Sequence, residues 1–341
     1  MKKNHYLHLL MLALLVFAAP SLLRAGDKKA VAAGGRFWLV LKQDGSLWAF
    51  GANDRGQLGD GTTQFRRKPV KVLDHVMDMS AGSYFSMALL EDGTLWTWGG
   101  TFGGELGDGT NTPRLRPQKI MDGISSIDAG HSHALAVGND GTLWAWGWNY
   151  YGQLGDGTTV DRNVPVRVMT GVRQVSAGHN WSAAVKTDGS LWVWGDDGYT
   201  GSPRLPVKVK MLDGVRQVSV GESHILAVMV DGRLMAWGEN RYGQLGNGTA
   251  DGDWHNTPVK IMDGVDEACA GSLHSLVRRN DGSLWGWGCN DEGQLGIGNL
   301  DGQLRPVRID AKVGDFAAGG FVSLWITPAG ELKVTGNITG D

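Results

Sequence analysis

The sequence repeats itself about every 48 residues, and this periodicity restricts the fold more than any other feature. The segment Asp44 to Gly51 (DGSLWAFG) returns six times, most clearly as Asp140 to Gly147 and least clearly as Ala329 to Gly336. The glycine in second place falls at 45, 93, 141, 189, 232, 282 and 330. Seven units therefore fill residues 26–341, and repeats of roughly 40 to 50 residues are typical of propellers and other stacked architectures.

Three further anchors divide each unit into four short strands. In the third unit they are the pair Ala129-Gly130, the loop Gly152 to Gly155 (GQLG) and a proline-led strand from Pro165 to Val168. The Asp-Gly pair between the second and third strands predicts a two-residue hairpin turn with positive φ at both residues. Short strands separated by turn residues, with no room for a regular helix, predict an all-β, seven-bladed β-propeller of four-stranded antiparallel blades.

Two units depart from the pattern. The fourth unit has Gly198 to Gly201 (GYTG) in place of the GQLG loop and is five residues shorter than its neighbours. Only six proline-led strands serve seven units, so one blade is expected to be incomplete unless residues before Ala30 supply the missing strand.

Paired tryptophans mark the third strands. Trp96 and Trp98 are two residues apart and so share one face of a strand, and the same pairing occurs at 144 and 146, 192 and 194, and 285 and 287. Because propeller blades stack face to face, these indoles are predicted to pack between neighbouring blades rather than to form a ligand site.

Composition and charge exclude several classes of protein. Glycine supplies 53 of the 341 residues and 42% of the chain is hydrophobic, which suits a turn-rich globular fold. The formal net charge of −3 offers no general electrostatic basis for binding nucleic acid. Residues 1–25 combine Lys2 and Lys3 with an apolar run from Leu7 to Ala19, which is typical of a signal peptide. Export is therefore expected, to the periplasm, the cell surface or the medium, with an uncleaved membrane anchor as the alternative.

Neither a catalytic motif nor a metal motif is recognisable. His133, His224 and His274 recur at one position of the repeat, which predicts buried structural histidines, and the Asp60-Gly61-Thr62 turns lack the ligand series of a calcium loop. Cys269 and Cys289 are expected to stay free, because an intervening strand would separate them by about 10 Å. We therefore predict a non-enzymatic protein without metal or cofactor.

The combined motifs resemble the regulator-of-chromosome-condensation repeat family. Ala129 to Leu135 (AGHSHAL) and Trp146 to Gly155 (WGWNYYGQLG) carry nearly every residue of the family's unit. The resemblance implies seven blades. It also implies roles such as nucleotide exchange on a small GTPase, as in the founding nuclear type, or β-lactamase inhibition, as in secreted bacterial relatives. The predicted export, the acidic charge and the lack of an obvious inserted wedge argue against exchange.

Candidate binding residues follow from strand connectivity. In a four-stranded meander the Ala-Gly turns and the GQLG loops emerge on one face of the propeller, opposite the Asp-Gly hairpins. Aromatic and arginine side chains on a rigid face are typical of protein-binding hot spots. We therefore predict a monomer that binds another protein through this face, with exchange-factor activity on a small GTPase as the alternative function. The candidates are Arg36, Tyr84, His131, Trp148, Tyr150, Tyr151, His179, Asn180, Glu222, Arg241, Tyr242, Leu273 and Phe321.

Overall fold

Seven consecutive segments of the chain each form one antiparallel sheet. The computed structural model describes residues 29–196, 207–208 and 212–337. The predicted signal segment 1–25 and the Gly198–Gly201 loop lie outside these ranges. The first three blades comprise β1 (Val31–Ala33), β2 (Phe37–Leu41), β3 (Leu47–Gly51) and β4 (Arg66–Leu73); β5 (Val76–Ala81), β6 (Phe85–Leu90), β7 (Leu95–Gly99) and β8 (Arg114–Met121); and β9 (Ile124–Ala129), β10 (His133–Gly138), β11 (Leu143–Gly147) and β12 (Arg162–Met169).

The remaining four blades continue in the same order. They comprise β13 (Val172–Ala177), β14 (Trp181–Lys186), β15 (Leu191–Gly195) and β16 (Val207–Lys208); β17 (Val215–Val220), β18 (His224–Met229), β19 (Leu234–Glu239) and β20 (Trp254–Met262); β21 (Val265–Ala270), β22 (His274–Arg279), β23 (Leu284–Gly288) and β24 (Gln303–Asp310); and β25 (Phe316–Gly319), β26 (Val322–Ile326) and β27 (Leu332–Gly336). The described residues contain no helix, and so none that could span a membrane.

Strand order within each sheet follows the chain, which confirms the predicted seven-bladed propeller. The first strand of every blade contacts the first strands of both neighbouring blades, so β1, β5, β9, β13, β17, β21 and β25 surround a central channel. The last blade has three strands among the described residues, whereas the other six have four. Among the described residues, the blade built from the seventh repeat is thus the one that lacks a fourth strand.

The turn between the second and third strands differs from the prediction. In the first blade the N–H of Gly45 donates to the carbonyl of Lys42, and the N–H of Lys42 donates to the carbonyl of Ser46. Gly45 has a φ of +78°, but Asp44 does not have a positive φ. The connection is thus a three-residue loop, a turn closed by a left-handed glycine. Asp44 contributes differently, because its carboxylate accepts the N–H of Ser46.

The two tryptophans of each pair have different environments, so the predicted interblade role holds for the second one. Trp98 and Trp146 are fully buried. The indole N–H of Trp98 donates to the Gln57 carbonyl of the preceding blade, at 2.9 Å. Trp96, by contrast, is half-buried, and its indole N–H donates to Thr94 of its own blade. The second tryptophan is therefore the fully buried one, whereas Trp144, Trp192 and Trp285 are half-buried and pack against the same interblade clusters.

The three repeat-related histidines are buried, as predicted. His133, His224 and His274 are fully buried, and each Nε2 lies 2.8 to 2.9 Å from a serine hydroxyl of the next blade. Burial lowers their pKa values to about 3, 3 and 4, so the imidazoles are neutral at pH 7. Their Nδ1 atoms have no protein partner within the described part of the chain.

Both cysteines are free thiols. Cys269 lies on β21, where its Sγ accepts the N–H of Ala318 from the last blade at 3.2 Å. Burial raises the pKa of this thiol to about 11, which leaves it protonated and poorly nucleophilic at neutral pH.

Candidate functional site

The turns after the first strands, which are Ala-Gly in six blades and Val220-Gly221 in the fifth, enclose the mouth of the central channel. Here they surround an open cavity of about 510 Å³. The glycines allow the neighbouring turns to approach closely, since a Cβ on Gly130 would lie 2.5 Å from the Gly178 carbonyl of the next blade. The residue directly after each glycine lines the cavity in every blade, namely Gly35, Ser83, His131, His179, Glu222, Ser272 and Gly320.

Six of the thirteen candidate residues lie at this cavity, and seven do not. Those that line it are Arg36, Tyr84, His131, His179, Glu222 and Phe321. Asn180 and Leu273 occupy the same repeat position as Tyr84, but they are half-buried and do not line the cavity. The second residue after the glycine therefore lines the cavity in three blades, as Arg36, Tyr84 and Phe321, and not in the other four. The remaining candidates, Trp148, Tyr150, Tyr151, Arg241 and Tyr242, belong to the longer loops between third and fourth strands.

Two histidines meet at the rim of the cavity. The rings of His131 and His179 lie edge to face with their centroids 4.3 Å apart, and His131 Nδ1 lies 2.9 Å from the Ser132 hydroxyl. Partial burial, together with the adjacent His179, lowers the pKa of His131 to about 4. His131 is consequently an uncharged polar contact at neutral pH. Within the described ranges, no three His, Cys, Asp or Glu side chains are grouped so as to hold a metal ion.

The loop of the third blade carries an aromatic cluster. Trp148 lies parallel to Tyr150 with ring centroids 6.2 Å apart, and Tyr151 meets both rings edge-on. Tyr150 is 66% exposed although its ring touches two others. The structure thus brings these three candidates together, away from the cavity wall.

A second cluster joins the first and second blades. Tyr84 and Phe102 meet edge to face at 5.9 Å, and the Arg55 guanidinium lies 5.3 Å from the centre of the Phe102 ring. Phe102 is 59% exposed. A Cβ on Gly103 would lie 2.9 Å from Trp148, so this cluster adjoins the aromatic cluster of the third blade. Together the two clusters form a continuous strip, defined here as Arg55, Tyr84, Phe102, Trp148, Tyr150 and Tyr151.

Several exposed apolar residues of the same loops are absent from the thirteen candidates. Besides Phe102, they are Phe65, Val160 and Leu300, which lie between the glycine-rich turn and the fourth strand of their blades. An apolar side chain within an otherwise polar loop was the available sequence signal for them.

The glycine-rich loops themselves are held by side-chain hydrogen bonds. In the first blade the Asn53 amide accepts the N–H of Leu58 at 2.9 Å and donates to the Thr62 carbonyl at 3.0 Å. Arg66 also donates to the Asp60 carboxylate at 2.6 Å. Asn149, Asn240 and Asn290 make the corresponding bonds in three other blades. The loops are therefore fixed before any partner binds.

Comparison with known proteins gives one family and one fold. Residues 16–325 match the family model described as RCC1-like domain. No curated protein sequence matches the chain. Human WBSCR16 is similar in structure, with 23% identity, a TM-score of 0.77, and coverage of 92% of this chain and 87% of that one.

Yeast RCC1 (Prp20), solved bound to Kap60, is similar with 23% identity and a TM-score of 0.76, over 90% of this chain and 79% of that one. Prp20p from Saccharomyces cerevisiae, described with its binding to Gsp1p and histones, has 22% identity and a TM-score of 0.74. That match covers 90% of this chain and 81% of Prp20p. At these identities the similarity concerns the fold.

Proposed function

Because the chain belongs to the RCC1-like domain family, we propose that it is a non-enzymatic scaffold that binds another protein through its loop face. The loop face is the side of the propeller that carries the Ala-Gly turns and the glycine-rich loops. One observation carries the proposal: the continuous strip from Arg55 to Tyr151 exposes aromatic rings beside an open central cavity. Aromatic and arginine side chains dominate the energetics of protein interfaces.

Pre-organised loops support the same function. The side-chain bonds of Asn53 and Asn149 fix the loops of the first and third blades, and in the second blade the Glu105 carboxylate accepts the N–H of Phe102 at 2.7 Å. A partner therefore binds without first ordering these loops, which reduces the entropic cost of association.

The proposal extends to where the protein acts. Residues 1–25 support export, so the partner is an exported or envelope protein that the monomeric propeller inhibits or regulates. Prp20p, a relative of similar fold, is described as binding Gsp1p and histones. Exchange activity on a small GTPase is thus the rival function, and it requires a partner in the cytosol.

Capture of partners tests the proposal. Tagged protein would be cross-linked in the exported fraction of its own cells, and the captured proteins identified by mass spectrometry. Alanine at Tyr84, Trp148 or Phe321 should weaken the captured complex at least about tenfold without lowering the Tm, the effect expected of hot-spot residues.

The matched control lies on the opposite face. Val230 is 71% exposed in an Asp-Gly hairpin, so Val230→Ala should leave capture unchanged. Capture that survives all three loop-face substitutions would refute the assignment of the face. Recovery of a nucleotide-free GTPase alone would favour exchange activity instead.

A further inference from the structure

Charged side chains from several blades converge inside the channel, below the Ala-Gly turns. Lys29, which precedes β1, extends its ammonium into the channel, where Nζ lies 3.6 Å from the Asp128 carboxylate of the third blade. The Lys29 side chain keeps 46% of its surface accessible to channel solvent, whereas Asp128 keeps 14%. The Lys29 ammonium of the first blade therefore forms an ion pair with the Asp128 carboxylate of the third blade.

Two carboxylates, Asp128 and Asp315, hold neighbouring strands together. Asp128 accepts the Ser80 hydroxyl at 2.8 Å and the N–H of Ala177 at 2.9 Å, so it joins the second, third and fourth blades. Asp315, at the start of the last blade, accepts the backbone N–H groups of Ala30 and Val31. The seam between the first and last blades therefore includes a buried carboxylate that binds the backbone directly after Lys29.

The fifth and sixth blades contribute further charges. Arg278 donates to Asp266 at 2.8 Å, contacts Glu267 at 3.0 Å and donates to the Gly314 carbonyl at 2.6 Å. Arg216 of the fifth blade lies 3.6 Å from Asp266. The titratable and charged groups that face one another here are Lys29, Asp78, Asp128, Arg216, Asp266, Glu267, Cys269, Arg278 and Asp315. Carboxylates outnumber cations in this set.

We propose that this set of charges is a pH-sensitive latch, in which the Lys29 ammonium holds the start of the first strand to the third blade across the channel. Lys29 supplies positive charge that offsets the nearby carboxylates Asp78, Asp128 and Glu267 of the second, third and sixth blades. The Lys29 charge stabilises the fold most when all these carboxylates are ionised. Its contribution to stability is smaller when some of them are protonated.

The ionisation of the cluster agrees with this geometry. Burial, reinforced by Asp315, raises the pKa of Glu267 to about 7, and burial raises that of Asp78 to about 6 despite the nearby Lys29. Asp128 in turn raises the pKa of Lys29 above its ordinary value. Between about pH 4 and 7 the folded chain binds more protons on Glu267 and Asp78 than the unfolded chain, so these groups destabilise the fold as pH rises through that window.

Substitution of Lys29 tests the latch in the full-length protein. In Lys29→Met the loss of Tm at pH 8 should be at least about twice the loss at pH 5, because protonation of Glu267 and Asp78 relieves the repulsion at acid pH. Lys29→Arg should keep the Tm of the parent at both pH values. At pH 8 the amides of β1 and β25 should lose hydrogen-exchange protection in Lys29→Met relative to the parent.

A surface lysine provides the matched control. Lys71 pairs with Asp74 on the outer strand of the first blade, and Lys71→Met should change the Tm equally little at both pH values. Equal losses for Lys29→Met at pH 5 and pH 8, or no loss at pH 8, would overturn the proposal.

Glu267→Gln keeps the test decisive if Lys29→Met does not fold. Relative to the parent, this variant should gain Tm as the pH rises from 5 to 8, since it removes the group with the higher pKa. A difference in Tm between variant and parent that does not change with pH would also overturn the latch. Neither experiment uses a partner, so their failure is distinguishable from failure of the proposed binding function.

Discussion

Trp146 and Trp98 provide a test of how the blades are held together, because the carbonyl groups that accept their indole N–H groups differ in the number of other donors. Both indoles are fully buried, and each N–H donates at 2.9 Å to a loop carbonyl of the preceding blade. The Gln57 carbonyl that accepts Trp98 also accepts the Ser86 hydroxyl. In the next blade Ala134 occupies the serine position, so Trp146 is the one side-chain donor to the Glu105 carbonyl within the described residues.

Replacement of each tryptophan by phenylalanine should therefore have unequal costs. In Trp146→Phe the buried Glu105 carbonyl loses its partner, which costs about 1–3 kcal/mol. In Trp98→Phe the Gln57 carbonyl keeps Ser86, so the loss is that of an ordinary hydrogen bond, about 0.5–1.5 kcal/mol. Both variants also leave a similar small cavity, worth about 1 kcal/mol. We expect total losses of about 2–4 kcal/mol for Trp146→Phe and about 1 kcal/mol less for Trp98→Phe.

Urea unfolding followed by far-ultraviolet circular dichroism measures these differences, with unchanged m-values as the condition for comparing midpoints. Trp96→Phe is the matched control on the same strand, since its indole is half-buried and bonds within its own blade. It should cost less than about 1 kcal/mol. If Trp146→Phe were no more destabilising than Trp98→Phe, the interblade carbonyl would not be the source of the stabilisation.

Two further predictions concern the interior. His224→Gln should flatten the acid side of the stability profile: burial lowers the pKa of His224 to about 3, so the unfolded chain binds the extra proton below pH 6.5 and stability falls as pH falls. Urea midpoints at pH 7 and 4.5 check this, and an equal fall in parent and variant would contradict it. Gly130→Ala should cost more than about 2 kcal/mol, because its Cβ would lie 2.5 Å from both the Gly178 carbonyl and the His133 ring. Gly252→Ala meets no atom within 4 Å, so its urea midpoint should match that of the parent.

The site was only partly predictable from the sequence. The position directly after each glycine lines the cavity in every blade, as at His131, His179 and Glu222, because that residue recurs at the same point of each repeat. The next position was less informative, since Tyr84 lines the cavity whereas Asn180 does not. Side-chain direction there depends on how each turn packs against the adjacent blade, and no spacing rule contains that information.

Repeat spacing alone determined the number of blades and the four-strand order, because these properties follow from local turns and short strands that recur in each unit. The tertiary structure decided which indole is buried, that the hairpins are three-residue loops, and that Lys29 faces Asp128 across the channel. The buried indole and the Lys29–Asp128 pair join residues from different blades. An Asp-Gly sequence is compatible with more than one turn type, so the sequence does not fix the length of the hairpin loop. They exist only once seven similar units have closed around a common axis and each unit has a particular neighbour.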